Sequence, residues 1–440
     1  MFASLKALHF KFKNTRLMDR FIKVVFQLFI FFLPTQLGRH FWPDWSYIYG
    51  IKIDYLSPTI YFTDILLFLI LLLWILRKKS RKRKKLLGST ALLVALFVFL
   101  IANIYFAQYP VVAILKWLKI AELVFIILFV LKEEKFNIKE WVIKPLSISL
   151  VLFSSIAFVQ ILSQRTIGGP LFLLGERSFT SATPGIAKFN LLGQEYMRPY
   201  STFPHPNAMA GFMAVSLFIL LYSGNKQLKQ NAFLRLSLLL TVSAVVVSIS
   251  HGAWISFAIV GLLLLLTRKK RKLYKRLYVF VFTLTIVISL LLPVLLDNLH
   301  IDSLRYEEEV HKRLSLARVA GLMTAEKPIV GIGANNFILE LAKRGDAPLV
   351  FWWFQPVHNI FLLVSAETGL IGLFAFAATL CLVAKKGLFQ KRTKILSIAL
   401  LLIVLTGFID HYWLTLQQTQ LLFALVLGLL VKEGRGVVIN

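Results

Sequence analysis

The sequence predicts an all-α integral membrane protein with about twelve transmembrane helices. Three observations predict it. Of 440 residues, 58% are hydrophobic and only 16% charged, whereas a soluble chain of this length carries roughly a quarter charged residues. Apolar runs recur at membrane-spanning length, and the Lys and Arg are gathered in short stretches between them. Together these exclude a soluble enzyme, a disordered chain and a disulfide-stapled secreted domain. The single Cys381 lies inside an apolar run, so one chain offers no disulfide and no cysteine-built metal site.

A bilayer core needs about 20 apolar residues per helix, and helices of about 17 still cross. Runs of that kind lie near 21–37, 59–76, 86–106, 111–131, 142–162, 206–222, 236–250, 252–267, 278–296, 358–384, 395–411 and 416–431. No small-residue cleavage site follows the first run, so it reads as a retained span. The seventh and eighth are short and are separated only by SISHGAW (248–254), which leaves a re-entrant pair open.

Charge sets the expected sidedness. With the N-terminus inside, the inner segments carry 34 Lys and Arg against five acidic residues, and the long outer segments carry 13 against 12. The positive-inside rule predicts that asymmetry, so both termini are expected to be cytoplasmic. The formal charge of +29 then reflects topology determinants and contacts with anionic lipid, and no nucleic-acid partner is expected. The organisation reads as a five-span region (1–162), an external loop (163–205), a four-span region (206–296), a larger external loop containing helices (297–357) and a three-span region (358–440).

Loops longer than about 15 residues usually carry function, and three strings in or beside the two long loops have more information than a span requires. In MRPYSTFPHPNAMAGF (197–212), Pro204 and Pro206 flank His205 and impose an extended approach. Asn207 is placed to cap the next helix, and Ala208, Ala210 and Gly211 give that helix a small face. Arg198 precedes this turn and reads either as a ligand group or as an interfacial arginine. In HKRLSLARVAGLMTAEKPIVGIGANNF (311–337), Arg313, Ala317, Ala320 and Thr324 share a helical face, Glu309 and Arg313 stand at i,i+4, and Pro328 ends the helix. A plain amphipathic surface helix remains the other reading. In PVHNIFLLVSAETGLIGLFAF (356–376), His358 and Asn359 open a span, with Glu367 and Gly369 two to three turns deeper. Histidine suits proton transfer near neutrality.

Taken in order, these strings resemble the O-antigen ligase/polymerase superfamily of bacterial membrane glycosyltransferases. The resemblance rests on Arg198 with His205-Pro206-Asn207, Arg313-Leu314 with Pro328, Gly331, Gly333, Asn336 and Phe337, and His358-Asn359 with Glu367 and Gly369. It covers about 198–376, Asp410 also fits, and the first 160 residues match only as hydrophobic spans. His251 departs from it, standing where relatives often carry Ser-Arg.

The resemblance implies a GT-C-like fold, an active site on the external face of the cytoplasmic membrane, and inverting transfer of a saccharide. The donor would be a polyprenyl (undecaprenyl) diphosphate-linked saccharide and the acceptor a glycan or lipid-linked hydroxyl. The chemistry asks for what the sequence offers. Charge building on a diphosphate leaving group calls for fixed cations with paired donors, which Arg198 and Arg313 supply. An attacking hydroxyl calls for a base, which His358 supplies if neutral, and neighbouring arginines would help keep it so. Arg318 and Lys312 are alternates for phosphate contact. His205, Asn207, Asn359 and Glu367 read as supporting groups. No cofactor and no metal are expected, and Asp410-His411-Tyr412 reads as a hydrogen-bonding pair buried inside a span. The competing reading is a multi-span polysaccharide or lipid transporter, whose best support is a midspan ion network of Asp64, Lys116, Lys119 and Glu122.

Overall fold

The computed structural model describes residues 15–77, 90–267, 270–298, 308–344, 354–389 and 393–434. Most of the basic run 77–85, residues 268–269 and parts of the second long loop (299–307, 345–353) lie outside the described residues.

The protein is mostly helical. In chain order the helices are α1 (Thr15–Phe31), α2 (Phe62–Leu76), α3 (Thr90–Tyr105), α4 (Pro110–Lys132), α5 (Lys144–Ser163), α6 (Pro206–Leu221), α7 (Asn225–Gln230), α8 (Ala232–Val247) and α9 (His251–Leu266). They continue as α10 (Arg271–Asn298), α11 (Glu308–Glu326), α12 (Phe337–Lys343), α13 (Ile360–Phe389), α14 (Lys394–Ile409), α15 (Tyr412–Thr415) and α16 (Gln417–Gly434). Three described helical stretches are long and apolar enough to cross a bilayer by themselves: Lys139–Ser163, Arg271–Val294 and Ile360–Leu388. Six shorter apolar helices accompany them, α8 and α9 among these.

Helices that are apolar all round belong in the middle of a bundle. Accordingly α6, α14 and α16 are almost wholly buried and pack on one another, α16 lying also along α4. The small face of α6 lets Tyr412 approach closely, and a methyl group at Gly211 would overlap its hydroxyl. Peripheral helices instead expose large apolar side chains, such as Phe68 of α2, Phe97 of α3, Leu239 of α8 and Phe280 of α10. That is the surface a membrane protein presents to lipid.

At one end of the bundle, Arg77 ties three elements together through Glu133 (2.6 Å) and Asp19 (2.9 Å). At the other end lie features that apolar periodicity does not forecast. Strands β1 (Gly38–His40) and β4 (Thr59–Tyr61) pair antiparallel, as do β2 (Tyr47–Ile48) and β3 (Ile51–Lys52). In the first long loop, β5 (Lys188–Leu191) and β6 (Gln194–Met197) form a hairpin that delivers the chain to Arg198.

Candidate functional site

A cavity of about 1480 Å³ opens at this second end, and Arg198, His205, Asn207, Arg313 and His358 all line it. Asp410 and His411 join them.

The β5–β6 hairpin fixes Arg198, whose backbone amide donates to the Ala187 carbonyl (3.0 Å). Its Nε donates to the Ser248 carbonyl (2.8 Å) and its Nη2 to Asn207 Oδ1 (2.7 Å). Asn207 Nδ2 in turn donates to Asp410 Oδ2 (3.3 Å). The sequence reading gave Asn207 the capping role on α6, and the structure corrects it. Pro206 takes the first helical position, so His205 becomes the cap, its Nδ1 accepting from the Asn207 amide (3.1 Å). That frees the Asn207 side chain to link Arg198 with Asp410. His251 stands on an exposed face against Trp254, and the turn before it serves Arg198 through the Ser248 carbonyl.

Arg313 arrives from α11. Its small neighbours Ala317 and Ala320 are buried where α11 packs on α13 and α10. Arg313 Nη1 donates to the Ile409 carbonyl (3.0 Å), and Nη2 meets Glu309 (2.7 Å) at the expected i,i+4 spacing. Arg318, by contrast, is exposed and, like Lys312, lies outside the cavity lining.

His358 precedes α13. Its Nδ1 is buried without a hydrogen-bond partner, and its ring centroid lies 5.0 Å from that of His411. Burial pushes the His358 imidazole down to about 3, and the charges of His411, Arg313 and His205 push the same way while Asp410 opposes them. Neutrality thus comes chiefly from burial, with arginine charge secondary. His205 is lowered to about 4, again first by burial. Burial alone would raise the Asp410 carboxyl, yet His411, His358, His205 and Arg313 together bring it below the ordinary range.

Asp410 and His411 correct the sequence reading of a pair inside a span. The helix α14 ends at Ile409 and the polar pair forms the connection to α15. The His411 amide donates to Asp410 Oδ1 (2.8 Å), and its Nδ1 is hydrogen-bonded to Thr415 Oγ1 (2.8 Å). His358, Asp410 and His411 each present one potential metal-ligand atom within 4.8 Å of the others. The chain order hides this cluster, so the sequence showed no metal-ligand spacing.

Asn359 and Glu367 support the site without lining it. Asn359 Oδ1 accepts from the amides of Phe361 (2.9 Å) and Leu362 (3.1 Å), capping α13, and its Nδ2 donates to the Phe408 carbonyl (3.2 Å). The backbone of Glu367 receives the Gly-rich turn: its carbonyl accepts from Gly333 N (3.1 Å) and from Asn103 Nδ2 (2.9 Å). The amides of Asn335 and Phe337 face its carboxylate. A Cβ at Gly331 would overlap the Glu367 carbonyl carbon, and Gly369 (φ 64°) breaks α13 where Pro328 accepts from Leu370. The G-x-G string is therefore a seat for the kinked helix. Asn103 of α3, which nothing local marks in the sequence, is its hub, also donating to Val330 and accepting from Ala334 and Trp117.

Residues 236–377 match the O-antigen ligase family model, which takes in Arg313, His358 and the whole Gly331–Glu367 seat. That match, over about a third of the chain, supports the O-antigen ligase/polymerase superfamily. A search of curated proteins finds no match. Arg198, Asn207, Asp410 and His411 lie outside the matched superfamily segment, yet the fold brings them to the same cavity as Arg313 and His358.

Proposed function

We propose that the protein is a ligase/polymerase-type glycosyltransferase that moves a saccharide from a polyprenyl diphosphate carrier to an acceptor hydroxyl. The reaction takes place at the outer face of the cytoplasmic membrane, in a chain of twelve spans with both termini inside. The observation that carries this reading is the convergence of Arg198, Arg313 and the unpartnered Nδ1 of His358 on one cavity, from three elements far apart in sequence.

In the reaction the acceptor oxygen attacks the sugar C1 as the C1–O bond to the diphosphate breaks. The acceptor proton passes to the neutral imidazole of His358 and then to solvent. Polyprenyl diphosphate leaves, its growing negative charge met by Arg198 and Arg313. Asn207 and Ser248 hold two nitrogens of Arg198, so the guanidinium is oriented before the charge develops. Inversion at C1 follows the superfamily resemblance.

The transporter reading rests on the ion network of Asp64, Lys116, Lys119 and Glu122. Asp64 is the third residue of α2, and Lys119, which it pairs with at 2.6 Å, faces the same cavity as His358. The ion network therefore lines the same cavity as His358. Purified protein in nanodiscs, given glycolipid extract from the host strain lacking this gene, should release one polyprenyl diphosphate for each saccharide joined. Movement of the lipid across a vesicle membrane with no bond broken would overturn the proposal.

A further inference from the structure

The same cavity is also walled by Asp64 of α2, by Lys116, Lys119 and Glu122 of α4, and by Gln417 and Gln420 of α16. Lys119 Nζ meets Asp64 at 2.6 Å and Glu122 at 3.1 Å. Gln417 Nε2 donates to Asp64 Oδ1 (2.5 Å), and Lys116 Nζ to the Leu414 carbonyl (2.5 Å). The Tyr61 ring lies 5.5 Å from the Lys119 ammonium. Two lysines and two carboxylates cancel, so this wall is no trap for a phosphate. It is a dense set of donors and acceptors on an aromatic edge, and one member is incomplete: Glu122 Oε1 is buried with no partner. A buried carboxylate oxygen left unpaired is costly, and a ligand hydroxyl would complete it.

We propose that this wall is the acceptor subsite, where hydroxyl groups of the acceptor saccharide are held; the inference rests on the glycosyl-transfer reading above. The order of groups along the cavity gives the direction. Residues 410–420 run from one set of groups to the other: Asp410 joins the Arg198–Asn207 chain, His411 touches His358 and is held by Thr415, and Gln417 reaches Asp64. His358 therefore stands between the arginines and the polar shelf. With the diphosphate on the arginine side, a saccharide whose attacking hydroxyl lies at His358 extends its other hydroxyls toward Asp64, Glu122 and Gln420. Sugar hydroxyls both donate and accept, and carboxylates and amides answer both needs.

Glu122→Gln and Gln420→Ala test this, since Lys119 keeps Asp64 as its partner in each. Two measurements are made on detergent-purified protein of unchanged elution volume: binding of bare undecaprenyl diphosphate, and transfer against a dilution series of the deletion strain's glycolipid extract. The shelf variants should bind undecaprenyl diphosphate within twofold of the native protein. Their half-saturating extract concentration should rise about three- to tenfold, the loss of one hydrogen bond, with the limiting rate retained. Unchanged half-saturation overturns the subsite, as does loss of undecaprenyl diphosphate binding in the same proportion. Failure of the underlying reading looks different: native protein and Arg198→Ala would then bind undecaprenyl diphosphate equally.

Discussion

Arg198 Nη2 donates to Asn207 Oδ1 at 2.7 Å, joining the last residue of the external hairpin region to the first turn of α6. Because Asn207 is also held by Asp410, the guanidinium is the end of a three-residue relay of fixed dipoles.

That relay predicts a graded series. Arg198→Ala should abolish transfer and undecaprenyl diphosphate binding. Arg198→Lys should recover little, because the donors of an ammonium sit on one nitrogen and cannot reproduce the separated Nε and Nη2 that meet the Ser248 carbonyl and Asn207. Asn207→Ala should keep the arginine but loosen it, weakening undecaprenyl diphosphate binding about three- to tenfold, the worth of one hydrogen bond. Isothermal titration on the three variants checks the order. Full activity in Arg198→Lys would make the residue an interfacial anchor.

The seat beneath α13 predicts a loss of stability with no direct effect on chemistry. Gly331 has φ 72°, and a methyl group there would collide with the Glu367 backbone. Gly331→Ala should destabilise the protein by about 2 kcal/mol, the cost of a strained backbone position, lowering the melting midpoint followed by intrinsic tryptophan fluorescence. Undecaprenyl diphosphate affinity of the surviving folded fraction should be unchanged.

The legible part of this protein was the part written locally. Apolar runs marked the helices, and the i,i+4 pair Glu309–Arg313 and the helix stop at Pro328 follow from spacing alone. Arg198, His205 and Asn207 sit within ten residues of one another, so their shared site could be read from one string. The cap was misplaced by two residues because Pro206, already fit for the first helical turn, shifts that role to His205. The partners of His358 were not legible. Asp410 and His411 end an apolar run and pass for its last residues until the chain is folded, and Asn103 is a single amide in an otherwise apolar helix. Such contacts depend on which helices pack together, which periodicity does not encode.

The split of basic residues predicts the sidedness of the two long loops. A cysteine introduced at Ser178, exposed at the cavity mouth, should react with an impermeant thiol reagent in intact cells. One at Asp346 should also react, and one at Ser80 should react only after permeabilisation; these two positions lie outside the described residues. Labelling at Ser80 and protection at Ser178 would invert the protein and remove the proposed donor from the site.

The His358–Asp410–His411 cluster could hold a divalent cation by its donor set, but a metal on His358 would occupy the nitrogen that must take a proton. With His358 as base, transfer by protein dialysed against EDTA should equal that of untreated protein, and added Mg²⁺, Mn²⁺ or Zn²⁺ should not raise it. Loss of activity to the chelator, restored by one of these ions, would make the cluster a metal centre and His358 a ligand.

The pH dependence separates the base from the bare sequence expectation. An unperturbed histidine titrates near 6.5, and a base of that kind loses activity as pH falls through that value. Here burial and neighbouring cations bring His358 to about 3. A lowered pKa keeps the imidazole neutral over a wider range, so kcat/KM, which reports the free enzyme, should stay flat from pH 8 down to 5. Bound diphosphate adds negative charge beside the ring and stabilises the imidazolium, so the acid limb of kcat should lie above that of kcat/KM. His358→Ala should lower kcat by about 10²- to 10⁴-fold, the usual range for a general base, with undecaprenyl diphosphate binding retained. A kcat/KM limb near 6.5 would show that the ring is solvated in the working enzyme, and a His358→Ala variant with full transfer would remove it from the chemistry.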